Sequence, residues 1–312
     1  GVSFLSLVGT ALADSPNVML ILCLMIGISS VSVQVLIPLA AHLSSDEKRG
    51  QVLGNIMAGL LLGILLARPI SSLIADHFGW RAVFYFAAGC MVFIAGVIYF
   101  AIPSRQPTHK TTYFKLLKSL KQLMISQPVL RQRSLFQALM FASFSLFWTS
   151  VPVVLAREYG LSQSEIALFA LVGAAGAVAA PIVGRLADKG YTHQVSLLAK
   201  VIAAVCFLPS LFELPYGIVV LALTGVFIDF SVQANMVLGQ RAVYALEPQS
   251  RARLNAIYMT SIFVGGAVGS LIASPLYEAG GWTGIALVAT GMPLISLIGY
   301  LVTTKKQSKT VS

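Results

Sequence analysis

Residues 49–81 read RGQVLGNIMAGLLLGILLARPISSLIADHFGWR, and residues 251–283 read RARLNAIYMTSIFVGGAVGSLIASPLYEAGGWT. The second stretch is the first displaced by 202 residues (251 − 49), without a gap. The two agree at Arg49/Arg251, Met57/Met259, Gly63/Gly265, Gly79/Gly281 and Trp80/Trp282, and each places an acid, Asp76 or Glu278, at the same point. Each copy is a basic loop, an apolar run with spaced glycines, a lone acid, then Gly-Trp. Such a repeat implies two similar helical bundles related by a parallel internal repeat. Carried back 202 residues, the apolar runs between about 134 and 200 would fall before residue 1, so the first half is expected to lack its beginning.

The composition calls for a membrane. Hydrophobic residues are 57% of the 312 and charged ones only 10%, with mean hydropathy +0.85. A hydrocarbon core of about 30 Å takes about 20 apolar residues of helix. Nine such runs are predicted, at about 18–41, 52–75, 82–102, 134–156, 165–187, 195–213, 216–238, 255–277 and 283–303. Residues 1–13 form a tenth run, which as a helix reaches only about 20 Å. A water-soluble fold would have to bury nine helices that are apolar all round, which weighs heavily against that class. No Met opens the chain and no basic segment precedes the first apolar run, so a cleaved signal peptide is not expected.

A net charge of +10 would suggest nucleic acid in a soluble protein, but its distribution points elsewhere. Seventeen of the 21 Lys and Arg lie in alternate loops: Lys48 and Arg49, Arg105 to Arg133, Arg185 and Lys189, Arg241, Arg251 and Arg253, and the tail Lys305, Lys306 and Lys309. The intervening loops carry only Arg81 and Arg157. This is the positive-inside pattern, so the basic loops and the C-terminus are expected in the cytoplasm and no nucleic-acid partner is implied. Cys23, Cys90 and Cys206 fall singly in predicted spans, and His42, His77, His109 and His193 fall in loops. Neither set is spaced for a metal or a disulfide framework, and no cofactor is expected. There is no Walker A loop, His-Glu-x-x-His or Gly-x-Ser-x-Gly, so neither ATP-driven transport nor an enzyme is indicated.

The divisions expected are an incomplete first half at 1–102, a basic linker at 103–133, a six-helix second half at 134–304 and a tail at 305–312. Within the linker, Leu116, Leu117, Leu120, Leu123 and Met124 recur at helical spacing opposite Lys115, Lys118 and Gln122. That predicts a basic amphipathic helix on the cytoplasmic leaflet, with protein binding as the alternative.

With these features the chain resembles the major facilitator superfamily over its whole length, near the twelve-helix drug/proton antiporter-like branch. The nine runs then correspond to the fourth to twelfth helices, and residues 1–13 to the end of the third. A complete member would need about 70–80 residues more. The family's loop signature, Gly-x-Leu-Ala-Asp-Arg/Lys-x-Gly-Arg/Lys, appears one residue short as Gly184-Arg185-Leu186-Ala187-Asp188-Lys189-Gly190. There Gly184 and Gly190 permit tight turns, and Asp188, beside Lys189, can meet a helix N-terminus or an Arg and latch one state. The alternative is an ordinary polar turn. Two other family patterns are altered. Cys23 stands where an Arg normally precedes a Gly by four residues, here Gly27, and the antiporter motif of the fifth helix reads Gly63 to Ser72 with Ala67-Arg68-Pro69 at its centre. Small residues continue at Gly59 and Gly63, and in the second half at Ser261, Gly265, Gly269 and Ala273, for helix packing or gating.

Charges inside spans are costly and point to function. Asp229 lies 12 residues beyond Gly217, about 18 Å along its helix and near mid-membrane. Gln233 should share its face, with Asn235 pointing elsewhere. The resemblance makes this the tenth helix, which lines the central cavity in the family. Arg68 lies eight residues before Asp76 and is a second candidate, for coupling or structure. Gln34, Asn55, Gln137 and Trp148 are weaker candidates. Lys200 is expected to snorkel to the cytoplasm, and Glu213 to be solvated at a span end.

The fold class expected is an all-α polytopic membrane bundle of the major facilitator type. The resemblance implies a secondary active transporter that exports a small organic compound in exchange for protons by alternating access. Its partners would be the bilayer, the small molecule and protons. A monomer in the cell inner membrane is expected. The alternatives are a transport-dead remnant, a structural membrane protein, or a uniporter of a sugar or metabolite. Without the first two helices, the 312-residue chain is not expected to transport by itself.

Overall fold

The computed structural model of the chain describes residues 1–30, 36, 39, 49–101, 113–173, 179–212, 216–247 and 250–311. The described elements are all helical. They form two compact units, Gly1–His109 with Ser162–Ala170, and Lys110–Leu161 with Leu171–Ser312. Among the described residues, five helical segments are long and apolar enough to cross a membrane: Trp80–Phe100, Pro128–Arg157, Thr192–Leu211, Gly217–Tyr244 and Arg251–Thr304.

In the first unit, α1 (Val2–Leu12) packs on α2 (Pro16–Ser29) and on α4 (Trp80–Ala101), while α3 (Arg49–Phe78) packs on α4 and on α7 (Gln163–Ala170). Pro16 opens α2, where its missing N–H has no helical partner to lose. The last carbonyls of α1 would be orphaned without a donor. Arg81 supplies it: Nε donates to Ala11 O at 3.0 Å and Nη2 to Ala13 O at 3.2 Å, while Nη2 also pairs with Asp14 at 3.0 Å. A capping box starts α7. The backbone N–H and hydroxyl of Ser162 both donate to Glu165 Oε2 at 2.8 Å, and the Glu165 N–H returns to Ser162 Oγ at 3.3 Å. Ser164 donates to Asp76, the lone acid of the first repeat, at 2.7 Å. The outer face of α4 is bare apolar surface, with Phe93, Tyr99 and Phe100 at 73%, 81% and 87% exposure. Surface of this kind suits hydrocarbon rather than water.

The second unit is built around α6 (Pro128–Arg157). The final helical stretch, Arg251–Val311, breaks at Gly281 (φ 56°, ψ −151°) into α11 (251–280) and α12 (282–311). Both pack along α6, as does α10 (Gly217–Tyr244). In the chain between α6 and α10 come α8 (Ala179–Asp188), which packs on α9 and α10, and α9 (Thr192–Val205), which packs on α10 and on the final helical stretch. Backbones of α6 and α11 touch: a Cβ on Gly265 would stand 2.2 Å from Ala138 O, and one on Gly269 2.1 Å from Ala142 O. Small residues permit this approach where lipid supplies no hydrophobic drive between helices. Ser143 donates to Ala289 O at 2.6 Å and Ser296 to Phe136 O at 3.3 Å, which ties α12 to the other side of α6.

The repeat is visible in the backbone. Gly79, between α3 and α4, has φ 81°, and Gly281, between α11 and α12, has φ 56°. Both precede the repeated Trp, and only glycine adopts such angles without strain of about 1–3 kcal/mol.

Local boundaries depart from the hydropathy pattern in three places. The run 165–187 is α7, a 3-10 turn at Leu171–Gly173, and then α8 beyond residues outside the described set. The run 195–213 begins earlier, at Thr192, and ends in a 3-10 turn at Leu208–Leu211, where Pro209 withholds an N–H. The amphipathic helix, α5 (Tyr113–Ser126), does not lie wholly on the leaflet. Its Leu123 is buried, and with Leu120 and Met124 it packs on Leu130, Leu254 and Tyr258 of the second unit. Leu116 and Leu117 face outward. The cause is the tight junction: only Gln127 separates α5 from α6, and Arg131 donates back to Met124 O at 3.0 Å.

Candidate functional site

Asp229 sits 12 residues into α10, about 18 Å from its start, and is 6% exposed. Trp148 of α6 donates its indole Nε1–H to Asp229 Oδ1 at 2.7 Å. Phe147 meets the Trp148 ring edge-on, with centroids 5.2 Å apart. Gly173 closes the other side: a Cβ there would stand 2.7 Å from Asp229 Oδ2 and 2.9 Å from the indole. The carboxylate is thus held by a donor that has no acceptor function and by a backbone too close to admit a methyl group.

A second buried charge was not expected. Lys200 of α9 is 0% exposed, and among the described residues it and Asp229 are the charged side chains that are buried. Lys200 does not snorkel. Its Nζ donates to Asn235 Oδ1 of α10, and more weakly to Ser196 O at 3.4 Å. Asn235 Nδ2 donates to Gln137 Oε1 of α6 at 2.5 Å, and Gln137 Nε2 donates to Val232 O at 3.1 Å. The ammonium has donors only, so it fixes the direction of both amides down the chain. The Nζ also lies over the ring of Tyr300 at 4.5 Å and that of Phe136 at 5.8 Å. Sequence spacing located Lys200 two turns into its span. It could not show that an oxygen from α10 would be waiting there.

The remaining candidates are dispersed. Gln233 is half-buried, with no hydrogen bond to it among the described residues. Asn55 is exposed. Gln34 and Glu213 lie outside the described residues, as does the side chain of Arg68, whose backbone belongs to α3. Gly59 and Gly63 are exposed, and no described atom lies within 4 Å of a Cβ built on either. Gly184 is half-buried within α8, and Lys189 is exposed. The helix ends at Asp188, and Gly190 turns the chain with φ 90°. Asp188 accepts from Arg241 Nη1 at the end of α10, both side chains being more than half exposed.

The sequence profile of the Major Facilitator Superfamily matches residues 1–245 and, in a second match, residues 134–312. This chain belongs to that superfamily. It is 39% identical over 296 residues to the uncharacterized transporter YgaY of Escherichia coli strain K12, which covers 93% of this chain and 73% of the relative. Among solved structures, that of a variant of the nucleoside transporter NupG matches with a TM-score of 0.72 at 14% identity, covering 96% of this chain and 80% of the other. The inward-facing structure of a bacterial homolog of the human lysosomal transporter Spinster matches with a TM-score of 0.69 at 15% identity, covering 97% and 81%. At such identities the likeness concerns the fold alone. As a major facilitator transporter this is a multi-pass membrane protein that acts on a small molecule, and its features are to be read as parts of a transport cycle. Asp188 with Arg241 then joins the end of α8 to the end of α10, the helix that carries Asp229.

Proposed function

We propose that the protein is a secondary active exporter of a small organic compound, driven by proton exchange across the cell inner membrane. The observation that carries the reading is Asp229, a carboxylate buried near the middle of a membrane helix and held by the Trp148 indole. A buried carboxylate in hydrocarbon is stable when protonated, or when charged and well solvated by fixed donors. Trp148 can donate to either form. Alternating access would expose Asp229 to one side in each state, so that it loads a proton from outside and releases it inside as the halves rock.

Other residues take supporting parts in this scheme. Residues 1–102 and 134–304 act as the two rocking halves, with 103–133 as their connection. Arg68, Gln34 and Gln233 lie along the substrate or proton path, and the buried amides of Gln137 and Asn235 keep α6 and α10 in register. The segment Gly184–Gly190, which is the last turn of α8 and the turn after it, latches one state through Asp188 and Arg241. Lys189 and the other basic loops face the cytoplasm, as does the C-terminus, and the protein works as a monomer. The substrate class stays broad: the named cargo of structural neighbours ranges from nucleosides in one to organic anions in the human transporter MFSD10.

The test uses everted membrane vesicles enriched in the protein, energised to an acid interior and exposed to a panel of lipophilic cations, organic acids and nucleosides. At least one compound should discharge the pH gradient, and Asp229→Asn should abolish that discharge. Compound flux that ignores the gradient would instead make the protein a uniporter. No flux of any compound, with the protein folded and inserted, would favour a transport-dead role.

A further inference from the structure

Three basic side chains gather around one ring at the end of the second unit where α6 and α9 begin and α12 runs out. Arg133 lies over Tyr300 with its guanidinium carbon 5.3 Å from the ring centroid, and Lys200 Nζ is 4.5 Å from the same centroid. His193 stacks on Tyr300 at 5.4 Å, with Nδ1 2.9 Å from the hydroxyl. Beside the ring is a pocket of about 380 Å³, lined among others by Gln132, Arg133, Thr192, His193, Thr303 and Thr304. No Asp or Glu lines it, and among the described residues none pairs with Arg133, His193 or Lys200. Arg133 makes one long hydrogen bond, to Ser196 Oγ at 3.4 Å, which leaves most of its fork uncommitted among the described residues.

Arg133 and Lys200, gathered on one ring without a counter-charge, repel one another, and burial of Lys200 strengthens the repulsion. A bound anion would relieve it. Arg133 offers charge-assisted donors, and Gln132, Thr192 and His193 offer further polar groups beside it. A tetrahedral oxyanion with several acceptors suits such a set, and a planar guanidinium is well matched to it. The depth also fits. Arg133 is five residues from the start of α6, about 8 Å, on the side of the bundle that carries Arg185, Lys189 and Arg241. Basic pockets between helices at that level are where lipid headgroups are held.

We propose that this pocket binds a phosphate group, carried by an anionic phospholipid headgroup or by a soluble phosphorylated compound. The site is separate from Asp229 and does not depend on what the protein carries.

The test is a titration of the purified, delipidated full chain in detergent with short-chain phosphatidylglycerol, followed by native mass spectrometry. Glycerol 3-phosphate serves as competitor and phosphatidylcholine as the zwitterionic control. Phosphatidylglycerol should bind in preference to phosphatidylcholine. Loss of a charge-assisted contact in Arg133→Gln should weaken it about tenfold. Arg133→Lys should fall between, His193→Gln should weaken binding severalfold, and Lys118→Gln, on the exposed face of α5, should not change it. Competition by glycerol 3-phosphate identifies a soluble phosphate ligand, and its failure to compete identifies a lipid site. Either supports the proposal. If Arg133→Gln does not fold, Arg133→Lys and His193→Gln decide the matter. The proposal is overturned if no phosphate probe binds, or if wild type and the folded pocket variants bind alike.

Discussion

Gly63 and Gly265 occupy the same position of the repeat, yet a methyl group added to each should have opposite effects. At Gly265 the new Cβ would stand 2.2 Å from Ala138 O and 2.8 Å from its carbonyl carbon. A carbon–oxygen contact of this type needs about 3.3 Å, so α6 and α11 must part by about 1 Å locally. The obstacle is backbone, which cannot rotate away. Overpacking of this kind costs about 1–3 kcal/mol, and it is offset in part by the helix preference for Ala over Gly of about 1 kcal/mol. Gly265→Ala should therefore lose up to about 2 kcal/mol. At Gly63 no described atom lies within 4 Å of the Cβ, so Gly63→Ala should change stability by no more than the propensity gain, about 1 kcal/mol in the stabilising direction. Unfolding of the purified protein by sodium dodecyl sulfate in mixed micelles would measure both. Tryptophan fluorescence separates the units, since Trp80 lies in the first and Trp148 and Trp282 in the second. Equal effects of the two substitutions, or a stabilised Gly265→Ala, would refute the contact between α6 and α11.

Asn235→Leu should cost about 3 kcal/mol or more, because it strands the buried Lys200 ammonium and the Gln137 amide together. Asn235→Asp, which keeps an oxygen toward Lys200 but has no N–H for Gln137 Oε1, should recover only part of the loss in the same unfolding assay. Trp148→Phe removes an indole donor to Asp229 and should lower the stability of the second unit by about 1.5–3 kcal/mol, read as an earlier fluorescence transition at Trp282. Arg241→Gln breaks a pair that is more than half exposed and should cost less than about 1 kcal/mol, while decreasing cross-linking between cysteines placed at the ends of α8 and α10.

The repeat, the family and the runs 82–102, 134–156, 195–213, 216–238, 255–277 and 283–303 were open to sequence reading because each rests on local pattern: hydropathy run, charge alternation, and a gapless offset that even anticipates the matched turns at Gly79 and Gly281. Asp229 was legible for the same reason, as a charge within an apolar run. Lys200 was not. Whether a long basic side chain snorkels or stays depends on the partners it finds, and those came from α10, α6 and α12, remote in sequence. The docking of α5 was also hidden, since its spacing of Leu and Lys reads identically on lipid and on protein. Gly173 gave no signal at all, for a glycine in an apolar run does not announce which side chains crowd against it.

Gly173 also gives position 173 a use that ionisable residues lack. The smallest possible substitution, a single methyl group, would have to displace both the Asp229 carboxylate and the Trp148 indole, while leaving the number of titratable groups unchanged. Gly173→Ala therefore separates the geometry of the carboxylate from its charge. It offers genetics a way to disable the site without altering the protein's proton inventory.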